Sequence, residues 1–203
     1  NKTGFVTIYP EAELSATKNY FQTHYRLDTH WNHAGGFIGA QAILKALGME
    51  TTDIRTVKYT PVSVDPYQMD LTRMLSKAEQ REFNPKYDID YTFEYRPDIQ
   101  ISSQSGVGNF SSSDIERSVS TNENGKSIVL LGDSLREAVF PFIQKEFTNT
   151  TFAHVNSVTS NNSEQIIDEI LKSDVLVLSR GARVSDTVYK IAQNLTKALK
   201  NAK

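Results

Sequence analysis

Residues 127–134 read Ser-Ile-Val-Leu-Leu-Gly-Asp-Ser, and this stretch decides the fold. A short apolar run between polar neighbours is typical of a parallel strand that is buried on both faces. Gly132 lets the chain turn tightly after the strand, and residues 135–147 then show the apolar spacing of an amphipathic helix. A serine at this junction lies at the sheet edge where α/β proteins bind their ligands. Ser134 is therefore a candidate nucleophile.

The same order of strand and helix is repeated towards the end of the chain. Residues 151–155 and 174–178 are short apolar runs, and helical spacing follows them in residues 163–172 and 185–202. Strands that alternate with helices form a parallel sheet with helices packed on its faces. The sequence therefore predicts an α/β fold with a parallel central sheet.

The first fifty residues predict further elements. Residues 4–9 have the pattern of a short buried strand that ends at Pro10. Residues 11–20 indicate one helix, and residues 37–47 indicate a second, apolar helix that stops at Gly48.

Residues 51–120 differ from both flanking parts. Apolar and polar residues alternate in residues 54–59 and 87–101, a helical patch covers residues 71–82, and residues 102–120 are rich in serine and glycine. We interpret this range as a β-rich insertion within a single domain that spans residues 1–203.

Composition excludes several classes of protein. The chain has 203 residues, of which 38% are hydrophobic and 23% charged, which is ordinary for one well-packed globular domain. The net charge of −2 gives no electrostatic footprint for nucleic acid. The absence of cysteine excludes disulfides, thiolate metal sites and a cysteine nucleophile. No apolar run is long enough to predict a transmembrane span, and the start at Asn1 indicates a mature or trimmed chain.

A serine nucleophile needs a base, usually a histidine that a carboxylate orients. Three of the four histidines, His24, His30 and His33, lie within ten residues of each other and beside Asp28. A carboxylate and an imidazole two residues apart can touch in a turn. We therefore expect Asp28 to hold Nδ1–H of His30, which would leave Nε2 to accept the proton of Ser134.

Other interpretations of these residues stay open at this point. His24, Asp28, His30 and His33 have the chemistry of a zinc site, although their spacing matches no established zinc pattern. Asn32 and His33 are more simply explained as caps of the helix that follows. Asp133 or Ser134 can likewise be a mere helix cap.

Two motifs together resemble a known family. Residues 25–36, Tyr-Arg-Leu-Asp-Thr-His-Trp-Asn-His-Ala-Gly-Gly, resemble the Asp-x-His-Trp signature of the alginate O-acetyltransferases and their DHHW relatives, which are SGNH-hydrolase-like proteins. Residues 130–134, followed by Pro141 and Phe142, resemble the nucleophile block of that family. In it the Asp–His pair precedes Gly-Asp-Ser, the reverse of ordinary SGNH esterases. The resemblance covers residues 1 to about 50 and 126 to 180.

The resemblance implies an SGNH-like, three-layer α/β/α fold with the insertion between the two catalytic motifs. It also implies that the chain lacks an N-terminal part of the sheet. It assigns Ser134 as nucleophile, His30 as general base and Asp28 as the residue that orients His30. Trp31 becomes a packing or substrate-platform residue. Further candidates for substrate or oxyanion contacts are Asn32, Gly132, Asn156, Ser157, Arg180 and Arg183.

The resemblance further implies an O-acetyltransferase that modifies a secreted or cell-surface bacterial polysaccharide through a serine acyl-enzyme. A membrane-bound O-acyltransferase would relay the acetyl group, and the protein would lie in the periplasm or at the cell surface, with any anchor outside this sequence. We expect no cofactor and no metal. The alternatives are a carbohydrate esterase with the same Ser-His-Asp triad and a non-catalytic glycan-binding assembly protein.

Overall fold

The computed structural model describes residues 6–83, 87–105, 115–155, 163–179, 192–197 and 200. The chain divides into two compact units, Asn1–Tyr95 and Arg96–Lys203. The single domain over residues 1–203 stays a prediction. No described helix combines the length and the apolar character that crossing a membrane requires.

The first unit combines helices with a small sheet. Its helices are α1 (Glu11–Thr17), α2 (His33–Ala46), α3 (Asp70–Arg73) and α4 (Lys77–Phe83), with 3-10 turns at Ile54–Thr56 and Pro66–Gln68. Its strands are β1 (Tyr59–Val64) and β2 (Asp88–Phe93), which pair antiparallel with Tyr59 opposite Phe93. The predicted helices at residues 11–20 and 37–47 are present as α1 and α2.

Aromatic side chains form much of the core of the first unit. The Phe21 ring lies 4.9 Å from that of Tyr59 and 5.2 Å from that of Tyr91. The ring of Phe37, on α2, lies 5.5 Å from that of Phe93 on β2. Because alternate residues of a strand share a face, Tyr91 and Phe93 present one aromatic surface to both partners. This packing joins β2 to α2.

The second unit contains a five-stranded mixed sheet. Its elements are β3 (Ile101–Ser105), β4 (Ile115–Ser120), β5 (Ser127–Gly132), a 3-10 helix (Ser134–Ala138), α5 (Phe140–Ile143), β6 (Asn149–His154), α6 (Ser163–Lys172) and β7 (Val175–Ser179). The strand order is β3-β4-β6-β5-β7. Strand β5 runs parallel to β6 and β7, whereas β4 is antiparallel to both β3 and β6.

Three strands of this sheet therefore run parallel, and two antiparallel strands extend it. Residues 51–120, which we interpreted as an insertion, contribute β1 and β2 to the first unit and β3 and β4 to the sheet of the second. The three-layer arrangement of an SGNH-like domain stays a prediction.

Strand β5 lies in the middle of the core of the second unit. Its residues Ile128, Val129, Leu130 and Leu131 are all at most 1% exposed. Val129 and Leu131 belong to one cluster with Ile166 of α6. Burial on both faces explains why the strand is a continuous apolar run rather than an alternating one.

The single helix predicted over residues 135–147 is not formed. The chain makes the 3-10 helix Ser134–Ala138 and then the one-turn helix α5, Phe140–Ile143. Pro141 explains the interruption, because it lacks an N–H donor and its ring clashes with a preceding helical turn.

The ends of the chain also differ from expectation. Residues 6–10 form no strand, and Val6 and Tyr9 are exposed. An apolar run this short is not buried without a pairing strand, and no described strand pairs with it. Residues 4 and 5 lie outside the described residues. The predicted final helix is helical at residues 192–197 and 200, and its remaining residues also lie outside the described part.

Candidate active site

The segment that carries Asp28 and His30 folds back on itself as a closed loop. His24 and Trp31 form an antiparallel bridge. The N–H of Tyr25 donates to the carbonyl of His30 at 3.2 Å, and that of Asn32 donates to the carbonyl of Thr23 at 3.2 Å. These pairings place Asp28 and His30 at the end of the loop.

A buried carboxylate on β2 fixes this loop. Asp88 is 3% exposed. It accepts hydrogen bonds from the Gln22 side chain at 2.5 Å, and from the backbone N–H groups of Arg26 at 2.6 Å and Leu27 at 3.3 Å. A buried carboxylate is stable only when such donors replace its lost hydration. Asp88 therefore orients the backbone directly before Asp28.

Asp28 and His30 form a hydrogen-bonded pair. Nδ1 of His30 contacts Oδ1 of Asp28, and the backbone N–H of His30 donates to the same oxygen at 3.0 Å. The backbone N–H of Asp70 donates to the other oxygen, Oδ2, at 2.9 Å. Burial raises the pKa of Asp28, but the hydrogen bonds from Asp70 and His30 outweigh burial and lower the pKa below its ordinary value.

This arrangement prepares His30 for proton transfer. Nδ1 faces an ionised carboxylate, which favours the tautomer that carries its proton on Nδ1. Nε2 is on the other edge of the ring and points away from Asp28. The His30 side chain is 30% exposed and that of Asp28 is 13% exposed, so the imidazole lies nearer to solvent than the carboxylate does. The pair has the properties of an oriented general base.

Asp70 is a second carboxylate beside His30, and no sequence pattern predicted it. Its Oδ1 accepts from the backbone N–H of Thr29 at 2.9 Å, and its Oδ2 lies 3.9 Å from Nδ1 of His30. Because Asp70 is about forty positions from Asp28 in sequence, no local spacing connects the two. Its backbone and side chain together hold the loop that carries His30.

The four-residue zinc site considered from the sequence does not form. Nδ1 of His33 bonds to Asp90 at 2.7 Å, and Nδ1 of His24 to the Thr23 hydroxyl at 3.1 Å. Among the described residues, the one cluster with metal-ligand chemistry is Asp28, His30 and Asp70, with one atom from each within 4.8 Å of the others. In it Nδ1 of His30 already faces the Asp28 carboxylate.

A second His–Asp pair lies where the loop enters α2. Asp90 accepts from Nδ1 of His33 at 2.7 Å, from the backbone N–H of His33 at 2.9 Å and from the Tyr25 hydroxyl at 2.6 Å. The hydrogen bond that the His33 ring donates to Asp90 raises the pKa of His33, although burial opposes this shift. These contacts tie the loop and the first residue of α2 to β2.

The raised pKa of His33 predicts how stability depends on pH. A folded-state pKa above the unfolded value of about 6.5 means that the native state holds the proton more tightly. The free energy of unfolding should therefore fall as pH rises above about 6.5 through the folded pKa of His33. The fall should be shallow, because the His33 side chain is 41% exposed and solvent screens the pair.

Urea unfolding of the protein and of His33→Gln between pH 6 and 9 measures this effect. The variant should show a flatter profile over that range. Burial lowers the pKa of His24, so His24 affects the free energy of unfolding below about pH 6.5. Its effect therefore lies outside the range in which the slopes of the two proteins are compared. Equal slopes in both proteins above pH 6.5 would contradict the assignment.

Asn32 and Trp31 have structural roles. Asn32, 1% exposed, caps α2 by accepting from the N–H groups of Ala34 and Gly35. Its amide nitrogen donates to the carbonyls of Gln22 at 2.6 Å and Ile89 at 3.1 Å. Both hydrogens of the amide are thus engaged, which argues against Asn32 as an oxyanion donor and favours the capping alternative.

The Trp31 indole packs against α2 where the helix carries a glycine. A Cβ on Gly39 would lie 2.7 Å from Cη2 of Trp31, so a glycine is needed for the close approach. This contact favours the packing role of Trp31, and its role as a substrate platform stays a prediction.

Ser134 is exposed at the carboxyl end of β5, where the 3-10 helix begins. Asp133 caps that helix by accepting from the N–H of Leu135 at 3.1 Å. Gly132 is required by close packing, because a Cβ there would lie 2.6 Å from Cβ of Arg136 and 3.0 Å from the carbonyl oxygen of Ser179. Asp133 therefore caps the 3-10 helix, and Ser134 does not have this role.

The predicted catalytic residues belong to both units of the chain. Asp28 and His30 belong to the first unit and Ser134 to the second. Asn156, Ser157, Arg180 and Arg183 lie outside the described residues. The roles of the three triad residues and of these candidates stay predictions.

The chain shares its fold with solved bacterial proteins. A DHHW family protein from Eubacterium siraeum DSM 15702 superposes with a TM-score of 0.65 at 16% identity, over 98% of this chain and 70% of the other. PatB1 from Bacillus cereus gives 0.54 at 12% identity, over 82% and 67%, and was also solved with a sulfonyl adduct. The O-acetyltransferase domain of Pseudomonas putida AlgJ gives 0.46 at 15% identity, over 94% and 67%.

Sequence comparisons alone find no such relationship. No protein-family model matches the chain. No curated protein matches it significantly. The resemblance to the DHHW family and its relatives that the two motifs predicted is confirmed as a similarity of fold.

Proposed function

We propose that this chain is a serine-dependent O-acetyltransferase that modifies a secreted or cell-surface bacterial polysaccharide. Ser134 is the nucleophile, His30 the general base and Asp28 the residue that orients His30. The observation that carries the proposal is the Asp28–His30 pair, whose carboxylate accepts three hydrogen bonds and faces Nδ1 of the imidazole. A histidine held in this way is the usual activator of a serine hydroxyl.

In the first half-reaction, Ser134 Oγ attacks the carbonyl carbon of an acetyl donor and transfers its proton to Nε2 of His30. The oxyanion of the tetrahedral intermediate then collapses, the bond to the leaving group breaks, and His30 returns the proton to that group. The backbone N–H of Ser134 is the first oxyanion donor in this proposal. The product is an acetyl ester of Ser134.

In the second half-reaction, a sugar hydroxyl replaces the leaving group. His30 removes its proton as its oxygen attacks the acetyl carbon, and the proton passes back to Ser134 Oγ when the ester bond to the enzyme breaks. The sugar leaves as an O-acetyl ester. Asp28 stabilises the imidazolium that forms in each half-reaction and stays ionised, consistent with its lowered pKa.

Two features outside the loop support an activated serine. Ser134 is solvent-exposed at the carboxyl end of a strand that has parallel neighbours on both sides, where α/β folds bind ligands. PatB1, which has the same fold, was solved with a sulfonyl adduct. Sulfonyl reagents attach covalently when an activated nucleophile displaces their leaving group, which is the chemistry proposed for Ser134.

The proposal includes an SGNH-like three-layer arrangement, a membrane-bound O-acyltransferase that supplies the acetyl group, and a location in the periplasm or at the cell surface. These follow from the motif resemblance in residues 25–36 and 130–134. The chemistry requires neither a metal nor a cofactor.

Incubation with an activated acetyl ester, with and without oligosaccharide, tests the function. We expect the protein to acetylate the sugar, as detected by mass spectrometry. Release of free acetate alone in both incubations would instead indicate an esterase with the same triad. A protein that binds the oligosaccharide but produces neither product would be a non-catalytic glycan-binding protein, and the proposal would be wrong.

A further inference from the structure

Arg136 lies two residues after Ser134 and carries a buried charge. It is 4% exposed and its guanidinium lies over the Phe152 ring, 4.4 Å from the ring centroid. Its Cβ and Cδ occupy the space directly beside Gly132, where an added Cβ would lie within 3 Å of both. Two residues beyond Ser134, an arginine thus fills the interior below the turn.

The hydrogen bonds of this arginine go to the turn itself. Nη1 donates to the carbonyl oxygen of Asp133 at 2.8 Å and to that of Gly132 at 3.2 Å. Burial lowers the pKa of Arg136, while the charges of Glu137, Asp133 and Glu116 act in the opposite direction. Even so, a guanidinium stays protonated in proteins. A full positive charge therefore rests on the two peptide groups that lead to Ser134.

Packing alone does not account for this charge. An uncharged side chain of similar volume fills a buried space without the cost of removing an ion from water, and such replacements are often neutral or stabilising. Nε of Arg136 is buried with no hydrogen-bond partner among the described residues, which adds to the cost. A costly buried cation that bonds to the nucleophile turn suggests a contribution to the reaction.

Peptide geometry indicates what that contribution is. The carbonyl of Asp133 and the N–H of Ser134 belong to one peptide group, which is trans, as are all the described peptide bonds. The two bonds of a trans peptide point in opposite directions. The Asp133 carbonyl accepts from Nη1 of Arg136 and, at 3.1 Å, from the backbone N–H of Arg136. Arg136 thus holds the carbonyl on the inside through both groups, which directs the Ser134 N–H outwards. A positive charge at the carbonyl oxygen also polarises the amide and strengthens the N–H as a donor.

We propose that Arg136 is a positioning residue that aligns and polarises the Ser134 peptide, so that its N–H stabilises the oxyanion formed during acyl transfer. Arg136 acts through the backbone and does not touch the substrate. The inference rests on the proposed function, because it requires Ser134 to be the nucleophile. It adds a residue that neither the two sequence motifs nor the Asp–His pair includes.

The test compares two substrates that differ only in the developing anion. One is an activated acetyl ester, and the other is its thionoester, in which sulfur replaces the carbonyl oxygen. Sulfur accepts hydrogen bonds weakly, so an N–H aimed at the oxyanion assists the thionoester much less. In Arg136→Met, acylation of Ser134 by the ester should slow by about tenfold to a hundredfold, less than the loss of a direct donor. Acylation by the thionoester should slow by less than about threefold.

Two further variants complete the design. Arg117→Met is the matched control, because Arg117 lies in the same unit and forms an ion pair with Glu169 at 3.2 Å. It should change both rates by less than about twofold. Arg136→Lys keeps the positive charge but loses the planar guanidinium group. It should slow acylation by the ester less than Arg136→Met does. Thermal unfolding shows whether Arg136→Met folds. If it does not, the ratio of the ester rate to the thionoester rate is compared between Arg136→Lys and the wild-type protein instead.

If acylation by both substrates slows equally in Arg136→Met, Arg136 has a merely structural role and the inference is overturned. Unchanged rates with both substrates would also overturn the inference. The mass of the acetylated peptide separates this outcome from failure of the proposed function. Acetyl on Ser134 with no change in the ester-to-thionoester ratio overturns only the role of Arg136. Wild-type protein without acetyl on Ser134 overturns both.

Discussion

Ser134→Ala should abolish acyl transfer, with a loss of at least about a thousandfold in kcat/KM. The substitution removes the atom that forms the bond to the acetyl group, so no acyl-enzyme can form. The side chain is exposed, and Asp133 rather than Ser134 caps the following 3-10 helix. The fold should therefore be unaffected. Release of the leaving group from an activated acetyl ester measures the rate, and thermal unfolding checks the fold.

Ser127→Ala is the matched control for this prediction. Ser127 lies at the other end of β5, where its hydroxyl bonds to the Asp174 carboxylate at 2.8 Å. It should retain wild-type turnover. A sulfonyl fluoride gives a second readout, because wild-type protein and Ser127→Ala should gain one sulfonyl group and Ser134→Ala none. Wild-type turnover in Ser134→Ala would make the catalytic assignment wrong.

His30→Ala should lose nearly as much activity as Ser134→Ala, about a thousandfold. Without the imidazole nothing accepts the proton of the serine hydroxyl, which is a poor nucleophile near neutral pH. Added imidazole should restore part of the rate, because it can occupy the vacated space beside Asp28. This rescue distinguishes a lost base from a disturbed fold, which imidazole would not repair.

His24→Ala serves as the matched control, because His24 lies in the same loop and its Nδ1 bonds to the hydroxyl of the neighbouring Thr23. It should keep most of the activity. Asp28→Asn should lose less than Ser134→Ala, since it disturbs the tautomer and orientation of His30 rather than the attacking atom. Asp70, 3.9 Å from Nδ1 of His30, keeps a negative charge near the ring in that variant. A wild-type rate in His30→Ala would show that His30 is not the base.

The elements with strong local patterns could be predicted from the sequence. Residues 127–131 form a buried strand because a continuous apolar run has few alternatives. The pattern of residues 163–172 predicts α6 with its observed bounds. Asp28 and His30 could be paired from the sequence because a spacing of two residues lets a turn bring their side chains together.

What the sequence did not predict depends on contacts between distant residues. Asp70 and Asp88 reach the loop from about forty and sixty positions away, so no periodicity or spacing connects them to it. The prediction of one helix over residues 135–147 was wrong, because it relied on apolar spacing and did not account for the helix-breaking effect of Pro141. The burial of Arg136 could not be predicted, because an arginine in a sequence normally indicates an exposed residue.

The central claim of this account is that His30, oriented by Asp28, activates Ser134. An experimental structure of the protein tests it most directly through the distance between Ser134 Oγ and His30 Nε2. The account predicts a hydrogen bond of about 2.6 to 3.2 Å, or a slightly longer separation bridged by one water molecule. A separation too large for a single water to bridge, in the presence of an acetylated or sulfonylated Ser134, would contradict it.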